Sequence, residues 1–102
     1  FQKHAGRTCG GVQLHVLDRD KFEPVVAGVA TIKMAYDMYT EHFRWKEPPY
    51  EYVRDKNPFD VIAGTKKLRE AIERGAALEE IEASWRAGVE GFAQARARHL
   101  LY

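Results

Sequence analysis

The N-terminal fifteen residues gather Lys3, His4, Arg7, the single Cys9 and His15, interleaved with Gly6, Gly10 and Gly11. Each type could do chemistry. His4, Cys9 and His15 invite a metal reading, but their spacing matches no tight ligand pair and there is no second cysteine, so no metal site is assigned. A cysteine nucleophile needs a base within hydrogen-bond reach and a thiol poised to ionise. Nothing in the spacing supplies either, and Cys9 reads more simply as a small structural thiol. The glycines resemble a phosphate loop only in composition. They precede an extended segment, whereas a phosphate loop follows a strand and opens a helix. Carboxylates are plentiful, yet Glu79, Glu80 and Glu82 crowd one helix start and Asp18 and Asp20 flank a segment end. A glycosidase needs two carboxylates roughly 5–9.5 Å apart across one sugar bond, and no such pair stands out. No catalytic residue and no cofactor follow from these residues. Phe43, Trp45, Tyr50 and Tyr52 form the densest aromatic group. Such rings stack on sugars, but core packing is their commoner use.

The elements that must position these groups read as follows. Val12-Gln13-Leu14-His15-Val16-Leu17 alternates, which predicts a strand with Val12, Leu14 and Val16 on the core side and Gln13 and His15 opposite. Pro24 suits a first helical turn. Val25, Val29, Ile32, Tyr36, Tyr39 and Phe43 then recur at steps of three and four, predicting a helix over 24–41. Pro48 and Pro49 forbid a helix, so 43–46 and 50–54 read as short extended pieces. Asn57-Pro58 reads as an N-cap and first-turn proline, with a short helical turn over 59–63 closed by Gly64. Thr65 caps a helix to Arg74 that turns Leu68 and Ile72 inward and stops at Gly75. The last helix covers 78–96 on a stripe of Leu78, Ile81, Trp85, Val89 and Phe92. Acidic residues gather at its start and Arg96 and Arg98 at its end, as the helix dipole prefers. Leu100-Leu101-Tyr102 reads as a packed apolar tag. This order predicts an α+β fold: a single small domain, its short sheet packed against three main helices.

Composition bounds the rest. With 102 residues there is room for one core and not two. A formal net charge of +1 gives no support to a nucleic-acid partner. No apolar run approaches the roughly 18 residues of a membrane segment. With one cysteine an internal disulfide is impossible. The chain opens on Phe1 without an initiator Met, which reads as a piece of a longer polypeptide whose targeting signal would lie elsewhere.

An ordered set of motifs covers essentially the whole chain. It runs from Phe1 and Lys3-His4-Ala5-Gly6 through Cys9-Gly10-Gly11-Val12-Gln13-Leu14-His15-Val16-Leu17-Asp18-Arg19 to Phe22-Glu23-Pro24-Val25. Phe43-Arg44-Trp45-Lys46, Pro49-Tyr50-Glu51-Tyr52, Phe59-Asp60-Val61-Ile62-Ala63-Gly64-Thr65 and Leu68-Arg69 follow. Ile81-Glu82-Ala83-Ser84-Trp85, Phe92, Arg96 and Leu100-Leu101-Tyr102 close it. In that order the motifs resemble the C-terminal domain of the exo-β-N-acetylmuramidases, bacterial two-domain peptidoglycan glycosidases formerly grouped as a domain of unknown function. Ala77 departs from the resemblance, because relatives often place a capping Ser or Thr there.

The resemblance implies that residues 1–102 are an accessory domain. Its partner is an N-terminal Rossmann-like domain of the same chain, which carries the catalytic acid. The activity it implies is release of N-acetylmuramic acid from non-reducing ends of peptidoglycan fragments, in a cleft between the domains. A secreted or periplasmic setting is implied too. Muramic acid differs from glucosamine by a lactyl ether carboxylate, which a cation or backbone N–H groups would hold. The candidate substrate-binding residues are therefore Lys3, His4, Arg7, Gly10, Gly11 and Gln13. The alternative is a structural or interaction module that stabilises its neighbour without touching substrate. A third reading, a small enzyme using Cys9 and a histidine, requires an exposed Cys9 beside His4 or His15.

Overall fold

The computed structural model describes residues 3–101. Phe1 and Tyr102, which belong to the first and last of the motifs above, lie outside the described residues. Four helices follow one another: α1 (Pro24–Met38), α2 (Pro58–Ala63), α3 (Lys67–Glu73) and α4 (Leu78–Ala97).

The local signals set the helix ends. Pro24 sits in the first turn of α1, whose last carbonyls are met by the Thr40 hydroxyl donating to Tyr36 C=O at 2.9 Å. The Asn57 side chain accepts from Phe59 N–H at 2.9 Å, with Pro58 in the first turn of α2. Gly64 then stops α2 at φ 70°, a left-handed conformation that costs glycine little. The Thr65 hydroxyl accepts from Lys67 N–H at 3.2 Å at the entry to α3. Ala77 offers α4 no side-chain cap, and Glu79 and Glu80 sit in its first turn.

The expected α+β architecture is overturned. Among the described residues there is no strand, and the one β-type pairing is an isolated bridge between Tyr50 and Val53. Residues 12–17 alternate as a strand would, but alternation describes only one side of the bargain. A strand exists by pairing its backbone with another, and residues 10–17 make no backbone hydrogen bond to any described residue. The extended pieces around the prolines close on themselves as a four-residue turn, with Tyr50 and Val53 exchanging bonds of 2.9 Å.

The core is small and helical. Val29 of α1, Ala71 and Ile72 of α3, Ala76 between α3 and α4, and Ile81 of α4 are its buried residues. Around them pack Ile32, Tyr36, Trp45, Phe59, Leu68, Leu78 and Trp85. Tyr36, Phe43, Trp45 and Phe59 form one aromatic wall. Phe43 meets Trp45 edge-on at 4.9 Å between ring centres, and Trp45 meets Phe59 at 4.7 Å. Phe43 and Trp45 are thus packing residues, while Tyr52 is 97% exposed. Asp60 and Arg69 tie α2 to α3 through two parallel bonds of 2.8 Å, and Arg69 also reaches Glu73 at 3.1 Å.

The α4 stripe is only half used. Ile81 is 1% exposed and Trp85 packs on the core, but Val89 and Phe92 are 61% and 67% exposed. Every residue from Lys3 to Val25 and from Arg86 to Leu101 is exposed. The radius of gyration is accordingly 16.9 Å, against about 13 Å for a compact domain of this length.

Candidate functional site

The glycine-rich N-terminal segment carries all six sequence-predicted binding residues, and all six are exposed. Lys3, His4 and Arg7 share one turn. Arg7 N–H donates to His4 C=O at 3.0 Å, with His4 at φ 60° and Gly6 at φ 74°. Glycine takes this left-handed backbone freely, whereas for histidine it is uncommon and carries some strain. The Cys9 thiol approaches Arg7 C=O at 3.8 Å.

Gly10 and Gly11 lie apart from that turn. With Val12 and Leu14 they form one wall of a groove of about 580 Å³, whose other wall is the outer side of α1 at Met34 and Met38. Gln13 falls between the two groove-lining apolar residues and is not among those lining the groove. The site therefore has two adjoining parts: a cationic turn, and a glycine-apolar stretch against α1.

Met34 and Met38 were not singled out by the periodicity. They lie one helical turn apart, off the stripe of Val29, Ile32 and Tyr36. The available signal was that α1 is apolar on more than one face, which one buried stripe does not explain. Tyr39, assigned to the inward stripe, is instead mostly exposed beside the groove.

Other chemistry is thinly represented. Among the described residues no group of three or more His, Cys, Asp and Glu side chains is placed to hold a metal ion. Cys9 is exposed, and its one polar contact among the described residues is that carbonyl, with neither His4 nor His15 hydrogen-bonded to it. No helix is long and apolar enough to cross a membrane, among the described residues. A strong electrostatic perturbation falls on Arg69, whose pKa is raised by its bonds to Asp60 and then to Glu73, and which serves packing of α2 on α3.

These features define a small helical domain with a cationic, glycine-rich surface segment. The chain belongs to the family described as exo-β-N-acetylmuramidase NamZ, C-terminal, whose model matches residues 1–102. It is similar to a peptidoglycan β-N-acetylmuramidase NamZ of Bacillus subtilis (strain 168), with 38% identity over 102 residues. That alignment takes in 100% of this chain and 23% of the relative, so the chain spans less than a quarter of the related protein. No solved structure matches the chain at a significant level.

Proposed function

We propose that residues 1–102 act as the accessory domain of an exo-acting β-N-acetylmuramidase that releases N-acetylmuramic acid from non-reducing ends of peptidoglycan fragments. The observation that carries this reading is 38% identity along the whole chain to a protein named as a peptidoglycan β-N-acetylmuramidase. The catalytic acid then resides in the remainder of the polypeptide, which we take to be a Rossmann-like N-terminal domain. The segment 3–13 forms one wall of the cleft between them.

The chemistry asked of that wall is modest. Muramic acid carries a lactyl carboxylate that glucosamine lacks. Lys3 and Arg7 offer cations, His4 a ring N–H, Gly10 and Gly11 backbone amides, and Gln13 an amide side chain. A shared turn for Lys3, His4 and Arg7 lets several donors meet one anion. Their full exposure leaves them free to do so. Substrate held there is oriented rather than activated, since proton transfer belongs to the neighbour.

The test replaces Lys3, His4 and Arg7 together by Ala in the intact polypeptide and compares a muramic acid glycoside with the matched glucosamine glycoside. A charge-assisted contact is worth about 1.5–3 kcal/mol, so kcat/KM for the muramic acid substrate should fall by roughly ten- to hundredfold more than for its partner. Equal effects on both substrates, or none, would remove the segment from the site and favour the purely structural role.

A further inference from the structure

We propose that the face formed by residues 10–14 and the outer side of α1 is the surface on which the preceding domain of the same polypeptide docks. This rests on reading the chain as the C-terminal part of a larger enzyme. Among the described residues, five exposed large hydrophobics line this face: Val12, Leu14, Met34, Met38 and Tyr39. Clustered exposed apolar side chains of this kind on a folded domain mark an interaction site. The groove of about 580 Å³ between Gly10–Leu14 and α1 gives it relief.

The backbone supplies a second, independent argument. Beyond the two glycines, the N–H and C=O groups of residues 12–17 bond to no described residue. Covering this face with apolar atoms alone would strand those groups without hydrogen-bond partners, which is strongly unfavourable. The occupant therefore presents polar backbone or side-chain partners alongside apolar side chains, as a folded neighbouring domain does and a lipid surface does not.

Size argues for a neighbour in cis. The related muramidase is more than four times the length aligned here, because this chain is 23% of it. The radius of gyration of 16.9 Å exceeds the compact value of about 13 Å, as it does for a piece whose outer elements rest on something else. The exposed outer end of α4 carries Val89 and Phe92 on a helix whose own backbone is bonded, a surface that asks for no polar partners. Docking on the α1 face also sets the Lys3–Arg7 turn at the rim of the junction, since the same segment continues directly into the groove.

Met34 and Met38 are the two methionines of residues 1–102 and report on this face directly. The intact polypeptide is treated with hydrogen peroxide, and sulfoxide at each methionine is followed by peptide mass spectrometry, in native buffer and in guanidinium. Both should oxidise at least about tenfold more slowly in the native protein than in the unfolded one. Oxidation at the unfolded rate overturns the proposal, because each side chain is more than half exposed on the domain itself. Protection that disappears on dilution overturns it too, since the cover would then be a second copy. Hydrolysis of a muramic acid glycoside is read on the same sample. An active enzyme with unprotected methionines loses the docking face alone, whereas loss of the enzyme reading appears separately as absent hydrolysis.

Discussion

Ile81 and Val89 share one helix and one stripe, two turns apart, and the structure assigns them opposite energetic roles. Ile81 is 1% exposed and Val89 is 61% exposed. Ile81→Ala removes three carbons worth about 0.8 kcal/mol each on transfer. The unfilled cavity adds to this, for a total of about 3–4 kcal/mol. Val89→Ala removes two carbons, which at less than half burial are worth about 0.6 kcal/mol. Alanine then regains about 0.5 kcal/mol of helix propensity over the β-branched valine, leaving a net change near zero. Urea and thermal unfolding of the isolated domain should separate the two. Ile81→Ala should lower the melting temperature by roughly 12–30 °C or leave the domain unfolded, while Val89→Ala should melt with the parent. Similar losses for both variants would mean that the stripe is buried along its length and that α4 packs differently from the arrangement described.

Two further predictions concern how the short helices are held. Asn57→Ala should cost about 1 kcal/mol, because it removes the acceptor for Phe59 N–H, and Asn57→Asp should restore most of it in the same melt. Asp60→Asn should cost about 1–2 kcal/mol, the lower part of the charge-assisted range, since the pair with Arg69 is partly open to solvent. Bonds to Asp60 and then to Glu73 raise Arg69 above its ordinary range, so its share of that stability is complete below the ordinary value and lost only as pH rises through the folded one. The Arg69 contribution should therefore be flat across about pH 6–10 in melts of the parent.

Local signals were the legible ones. Asn57-Pro58, Gly64 and the Pro24 entry each specify a backbone conformation through chemistry contained within a few residues, and each appears where the sequence places it. The α4 period was legible as well, but period says which face is apolar and not how far the cover extends. Leu78, Ile81 and Trp85 meet α1 and α3, and Val89 and Phe92 run past them. The same limit overturned the expected sheet. Residues 12–17 have the alternation of a strand, but pairing needs a second backbone, and none of the described residues supplies it. At the site, the cations Lys3, His4 and Arg7 fall in one exposed turn. The groove against Met34 and Met38 was missed because those residues fall outside the single stripe that periodicity seeks.

The proposed role of this domain is to serve a muramidase without performing the hydrolysis itself. The most direct measurement sets purified residues 1–102 beside the intact polypeptide on a chromogenic N-acetylmuramic acid glycoside, each against a heat-inactivated control. The intact polypeptide should release N-acetylmuramic acid, and residues 1–102 should release none above control. Turnover by residues 1–102 alone would contradict the accessory role, and no turnover by the intact polypeptide would contradict the muramidase assignment.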